Sequence, residues 1–199
     1  MKLSNAVKMA HQMLAAPLSR AQCVVDATAG NGHDTLFLAQ NTLAATTVFS
    51  FDIQQAALDK TKQKIAAHGF TSKVCCILDS HVEIISHLTR EIDVAMFNLG
   101  YLPGGSKTIT TQAKTTVSAL QKLLPRLSLG GMVSVVAYPG YPSGEEESMA
   151  LHHFLQSLSQ QEYVASSYAM LNQVNQPPVL YMIEKIGGEA GEGTASCKN

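Results

Sequence analysis

The sequence predicts an α/β fold: a seven-stranded, mostly parallel sheet with helices on both faces and a C-terminal antiparallel hairpin. Three observations predict it. Short apolar, β-branched runs alternate with helical stretches, the pattern of a parallel sheet covered on both sides. The last two strand-like runs have only a short connection between them, which suits a hairpin. The 199 residues are 46% apolar and 15% charged, enough to fill one core and too apolar for disorder. We therefore expect one domain over residues 1–186 and a small, polar, Gly-rich tail over 187–199.

Residues 1–16 are amphipathic, with Lys2, Lys8 and His11 set among apolar positions. Residues 23–27 form a short apolar run that stops at a Gly-rich turn, and 33–40 read as a helix. A second strand over 46–51 ends at Asp52. Residues 55–68 have helical spacing, with Gly69 as a natural terminator. A third strand over 73–78 ends at Asp79, residues 81–88 fit a helix, and a fourth strand over 92–97 ends at Asn98. Residues 111–127 read as a helix that Pro125 must kink or end. A strand over 131–137, a helix over 145–158 and the strands 163–171 and 179–186 complete the order.

Composition excludes several functions. Net charge is −1, far from the basic balance of a protein that coats duplex DNA by charge alone. Mean hydropathy is +0.07, and no run is apolar enough to span a bilayer. The N-terminal stretch lacks the apolar core of a signal peptide, so a cytoplasmic protein with no membrane partner is expected. Cys23, Cys75, Cys76 and Cys197 include no C-x-x-C pair, two are adjacent inside an apolar run, and buried thiols are expected. The seven histidines show no ligand spacing, and no metal is expected.

Asp26, Asp52, Asp79 and Asn98 each end a predicted strand, where ligands bind in such sheets. The first turn reads Asp26-Ala-Thr-Ala-Gly30-Asn31-Gly32-His33-Asp34. Its glycines let backbone approach a ligand, although Asn31 or Asp34 could equally cap the following helix. Asp52 is placed to bind ribose hydroxyls or to cap the helix beginning near Gln54. Asp79 is placed for an exocyclic amine or for a cap before His81. Three acids in succession after a Gly turn favour a nucleoside cofactor over three separate caps. The third Gly of a dinucleotide-binding turn is missing, and Asp26 would repel a pyrophosphate. Both points favour a cationic cofactor, S-adenosylmethionine. The expected cofactor residues are Asp26, Thr28, Gly30, Asn31, Gly32, His33 and Asp34 on the first turn. Asp52, Ile53 and Gln54 follow the second strand, Asp79, Ser80 and His81 the third, and Asn98 and Leu99 the fourth.

The stretches D-A-T-A-G-N-G-H-D-T, F-D-I-Q, F-N-L-G-Y-L-P-G-G-S-K and L-N-Q-V-N-Q-P-P resemble a bacterial family long labelled "putative rRNA methylase". Members of that family are assigned as transfer-RNA methyltransferases acting on the 5-aminomethyl-2-thiouridine at the wobble position. The resemblance covers nearly all of residues 1–186. It implies a Rossmann-like class I methyltransferase that uses S-adenosylmethionine and takes the anticodon loop of tRNA as partner. Thr28 stands where the common D-x-G-x-G-x-G turn has its first Gly, as is usual in this family. Tyr141 stands where similar proteins often carry His.

Asn98-Leu99-Gly100-Tyr101 resembles the N-P-P-Y loop of amino methyltransferases. By that resemblance Asn98 and Tyr101 are the expected catalytic pair: Asn98 accepts a hydrogen bond from the target amine and Tyr101 packs on the base. The bland alternative is a turn cap and loop packing. Lys107, in Gly104-Gly105-Ser106-Lys107, could clamp a phosphate or sit in an exposed loop. Tyr101, Lys107, Tyr141 and Asn175 are the expected substrate contacts. The Asn172–Pro178 amides could read a base edge or satisfy a tight loop. Lys60, Lys62 and Lys64, and Lys107, Lys114, Lys122 and Arg126, form basic groups that could meet RNA or be solvated faces. Met9, Met13 and Leu14 could pack on the sheet or on a second copy in a homodimer. The rival functions are methylation of ribosomal RNA or of a small amine, and a non-catalytic S-adenosylmethionine-binding module.

Overall fold

A computed structural model describes residues 5–102, 104 and 109–188. Lys107 and residues 189–199, most of the expected tail, lie outside the described residues. Seven strands form one sheet in the order β3-β2-β1-β4-β5-β7-β6. These are β1 (Cys23–Asp26), β2 (Thr47–Asp52), β3 (Val74–Leu78), β4 (Ile92–Asn98), β5 (Leu127–Ala137), β6 (Tyr163–Tyr168) and β7 (Val179–Lys185). The first five run parallel. The β6–β7 hairpin inserts β7 antiparallel beside β5 and leaves β6 at the edge.

The strand order reverses between β1 and β4, and a crevice opens there beyond their carboxyl ends. Helices α1 (Ala6–Leu18), α2 (His33–Asn41) and α3 (Gln55–Ala67) cover one face. On that side Met9 and Leu14 pack with Leu38, Val48, Ile65 and Val94. Helices α4 (Ala113–Leu123) and α5 (Pro142–Gln156), with a 3₁₀ helix at His81–His87, cover the other, where Ile84, Leu120 and Leu151 meet Phe51 and Phe97. Met9 and Leu14 thus face the sheet, whereas Met13 is exposed. Among the described residues no helix is long and apolar enough to cross a membrane.

The departures from the expected elements have local causes. Residues 81–87 form a 3₁₀ helix, not an α-helix. Val82, Ile84 and Ile85 crowd a short segment with β-branched side chains, and short segments tolerate the tighter winding. Helix α4 stops at Leu123, and Pro125 lies in a 3₁₀ turn. The Lys185 Nζ donates to the carbonyls of Pro125 and Leu127, so the chain enters β5 at 127 rather than 131. Pro142 opens α5 three residues early, at the one helical turn where a missing N–H costs nothing. Cys75 is exposed and Cys76 half-buried, not buried as expected: β3 is an edge strand, and none of its residues is fully buried.

Candidate functional site

A cleft of about 940 Å³ occupies the crevice at the carboxyl ends of the parallel strands. Of the first turn, Thr28, Gly30, Asn31, His33 and Asp34 line it; Asp26 and Gly32 do not. Asp26 is fully buried. Its carboxylate accepts the Thr35 hydroxyl at 2.5 Å and the Thr28 N–H at 3.1 Å, so it braces the turn from beneath. Burial, then the charge of Asp34, pushes this carboxyl up to about 7, with the Thr35 and Thr28 hydrogen bonds pulling the other way. Gly32 is needed for a different contact. With φ at +73°, it brings the turn so close to α3 that a Cβ would lie 2.9 Å from Thr61 Cα. Neither Asn31 nor Asp34 caps α2, whose N-cap is Gly32 without a side-chain bond. The Lys64 Nζ lies 3.0 Å from His33 Nδ1 at the mouth of the cleft.

Asp52 is not the cap of α3, which is Gln54. Its Oδ1 accepts the Gln54 N–H at 2.9 Å, and its Oδ2 accepts the Gly30 N–H at 2.9 Å. The side chain therefore ties the β2 end to the Gly turn while lining the cleft, and Ile53 beside it presents an exposed apolar surface. Asp79 is not a cap. Ser80 takes that place, accepting the Val82 N–H, while Asp79 meets His87 Nε2 at 2.8 Å and the Ser80 N–H at 2.7 Å. The bond to His87, then that to Ser80, holds Asp79 below the usual carboxylate range. His81 lines the cleft with its Nε2 buried and without a hydrogen-bond partner. Burial holds its imidazole down at about 4, so the ring is neutral at pH 7. A buried ring nitrogen left unpaired costs free energy until a ligand pairs with it.

Three hydrogen bonds hold Asn98 at the end of β4. The Asn98 backbone N–H donates to Thr28 Oγ1 at 2.8 Å. Its amide Nδ2 donates to Asp34 Oδ2 at 3.2 Å, and its Oδ1 accepts the Tyr138 hydroxyl at 2.9 Å. A carboxylate only accepts, so Asp34 fixes which way the amide points. Asp34 in turn meets His11 Nε2 of α1 at 2.7 Å, and Phe37 stacks on that imidazole at 3.7 Å between ring centres. Further along the loop, the Gly100 N–H donates to Thr111 Oγ1 at 2.7 Å. Thr111 and Thr116 both donate to Glu147, an acid buried on α5. Burial raises Glu147, and the two threonine bonds pull it back down.

Tyr101 is 39% exposed and meets the Tyr141 ring edge-on at 6.1 Å. Tyr141 also packs on Gly100, where a Cβ would fall 3.1 Å from its hydroxyl. The β6–β7 connection folds back to the cleft, with Asn175 and Gln176 lining it at positive φ. Of the expected substrate contacts, Tyr101, Tyr141 and Asn175 therefore share one wall. Two of the basic residues have structural work elsewhere: Lys122 donates to the Val82 carbonyl and Arg126 to those of Leu88 and Arg90.

Sequence reasoning missed His11, Tyr138, Thr111 and Glu147. Glu147 carried a signal, being four residues before the buried Leu151 on one helix face. Tyr138 and Thr111 carried a weaker one, Tyr138 lying just beyond the predicted strand 131–137 and Thr111 opening the predicted helix 111–127. His11 carried none, because its partner is 23 residues away. Among the described residues no group of three or more His, Cys, Asp or Glu is placed to hold a metal.

Residues 48–184 match the family model described as "Putative rRNA methylase". An Arabidopsis thaliana protein, the chloroplastic tRNA (mnm(5)s(2)U34)-methyltransferase, is 32% identical over 192 residues. The match covers 91% of this chain and 70% of that protein. Among solved structures, a "putative rRNA-methylase" from Clostridium thermocellum has a TM-score of 0.91 at 36% identity, covering 94% of this chain and all of that one. A "putative methyltransferase" from Streptococcus mutans, solved in complex with SAH, has a TM-score of 0.85 at 38% identity, covering 93% of this chain and all of that one.

Proposed function

We infer the reaction from one premise: the chain belongs to the family described as "Putative rRNA methylase" and is an S-adenosylmethionine-dependent methyltransferase. The cleft suits that cofactor. Asp26, Asp34 and Asp52 gather around the Gly turn, and among the described residues none of them pairs with Lys or Arg. Such a cluster favours a ligand that carries positive charge. His81 offers its unpaired ring nitrogen on the β3 side, next to the apolar Ile53. When bound, S-adenosylmethionine supplies an electrophilic methyl group on a sulfonium. In our reading Asp52 with Gln54 holds the ribose and Asp79, Ser80 and His81 meet the adenine. Thr28, Gly30, Asn31 and His33 surround the remainder, and Leu99 closes the floor. Residues 1–186 act as one catalytic domain.

We propose that the methyl acceptor is the aminomethyl group of a wobble 2-thiouridine in tRNA, presented by the anticodon loop. The observation that carries this is the fixed Asn98 amide. Its Oδ1 is a neutral acceptor beside a cleft wall of tyrosines. A neutral acceptor orients an amine without stabilising its protonated form, which has no lone pair to attack with. Alignment of this kind is where in-line displacement gains most. Tyr101 and Tyr141 supply ring faces for a flat base, and Asn175 amide groups for its edge. The Arabidopsis relative's activity supports the same choice.

Asp52→Ala should weaken S-adenosylmethionine binding by ~1–3 kcal/mol, the cost of leaving buried polar groups unpaired. Titration calorimetry reads it, and unchanged affinity would remove Asp52 from the cofactor site. The substrate reading is tested by labelled methyl transfer to three RNAs. Transfer is expected to tRNA bearing the 5-aminomethyl wobble uridine, and not to the same tRNA without the aminomethyl group or to ribosomal RNA. Label in ribosomal RNA alone overturns it.

A further inference from the structure

We propose that Asp34 is the group that takes the proton from the reacting amine, and that His11 on α1 is the positioning residue that aims it. The inference rests on the aminomethyl substrate proposed above. A primary alkyl amine is mostly an ammonium at neutral pH, so a proton must leave before nitrogen can attack.

The cleft narrows the choice of acceptor. The carboxylates lining it are Asp34, Asp52 and Asp79. Asp52 and Asp79 end β2 and β3, on the far side of β1 from Asn98. Glu147 is buried behind Thr111 and Thr116 and does not line the cleft. Tyr138 donates a hydrogen bond to Asn98, and burial raises both Tyr138 and Tyr141, so these phenols stay protonated. Asp34 remains. Its Oδ2 holds the amide of Asn98, so the neutral acceptor and the carboxylate stand side by side on one wall.

The step is a simple transfer. The ammonium N–H bond breaks and leaves its electron pair on nitrogen as the attacking lone pair. The proton forms an O–H bond on Asp34. His11 meets Oδ1 at 2.7 Å, which holds the carboxylate with Oδ2 against the Asn98 amide, and Phe37 stacks on the imidazole. The His11 side chain is 25% exposed and that of Asp34 7%, so the pair runs from the cleft wall to solvent, where the proton can be exchanged. The titratable groups facing Asp34 are His11 from α1, Asp26 from β1 and Tyr138 beyond β5, with His33 adjacent on α2.

The test is single-turnover methyl transfer to tRNA bearing the aminomethyl uridine, at saturating cofactor, across pH. Asp34→Asn keeps the shape and should lose ~10²-fold or more at neutral pH, the usual yield of a positioned base. The deficit should narrow as pH rises and solvent deprotonates the amine. His11→Ala should lose ~10-fold in the same pH-dependent way, and His11→Gln, which keeps a donor for Oδ1, should recover most of it. Cofactor affinity by calorimetry should be unchanged in the two His11 variants, which also reports their folding. Asp34→Asn removes one charge from the acidic cluster at the Gly turn, and saturating cofactor separates that effect from the rate. If Asp34→Asn does not fold, the His11 pair carries the test alone. An equal loss at every pH, or a loss of cofactor affinity with an unaltered pH profile, overturns the proposal. A wild-type protein inactive on this RNA overturns the substrate reading itself; an active one with pH-independent variant losses overturns only the role of Asp34.

Discussion

Replacing Asn98 by Ala is expected to leave S-adenosylmethionine affinity nearly intact and to lower turnover by ~10²-fold or more. The substitution removes three things at once. The acceptor for the amine goes, the Tyr138 hydroxyl loses its partner, and Asp34 loses the donor that faces it. The backbone bond from residue 98 to Thr28 survives, so the Gly turn and its cofactor contacts keep their support. The split between binding and turnover is the signature of a residue that acts on the reacting atoms. Calorimetry beside single-turnover transfer measures it. Full turnover in Asn98→Ala would mean that the β4 loop does not position the amine.

The second large effect is expected at a residue that touches no ligand. Gly144 lies in the first turn of α5, where a Cβ would fall 2.1 Å from the Tyr138 carbonyl oxygen and 2.8 Å from the Tyr141 ring. The nearest obstacle is backbone, so the helix or the 138–141 segment must move. Gly144→Ala should cost about 3 kcal/mol of stability, in the range of overpacked sites. It should also depress methyl transfer, because Tyr138 and Tyr141 both line the cleft. Urea unfolding reads the first effect and the transfer assay the second. Wild-type stability and rate together would show that α5 does not set the reactive wall.

These two residues mark what the sequence made legible. Asn98 was legible as a residue of the cleft because it ends a strand, and strand ends are where such sheets bind ligands. The strand-helix alternation likewise led to all seven strands, since period and turn residues are local signals. Gly144 and Glu147 were not found, because their importance lies in contacts across the fold: Gly144 against Tyr138 and Tyr141, Glu147 against Thr111 and Thr116. Asp26 shows the opposite failure. Its position at the β1 end was read correctly, yet its side chain points under the turn toward Thr35 rather than into the cleft. A residue's place on a strand is written in the local sequence; the direction of its side chain is decided by partners such as Thr35, nine residues on. Cys75 and Cys76 failed for a related reason, since only the strand order reveals that β3 is an edge.

The central claim is tested most directly by mass spectrometry of nucleosides. Substrate tRNA carrying 5-aminomethyl-2-thiouridine is incubated with the purified protein and S-adenosylmethionine, then digested. The account predicts that this one nucleoside is converted to its methylaminomethyl form, with no methyl gain elsewhere in the tRNA. An untouched wobble nucleoside, with the methyl group appearing in ribosomal RNA or on a free small amine, would contradict it.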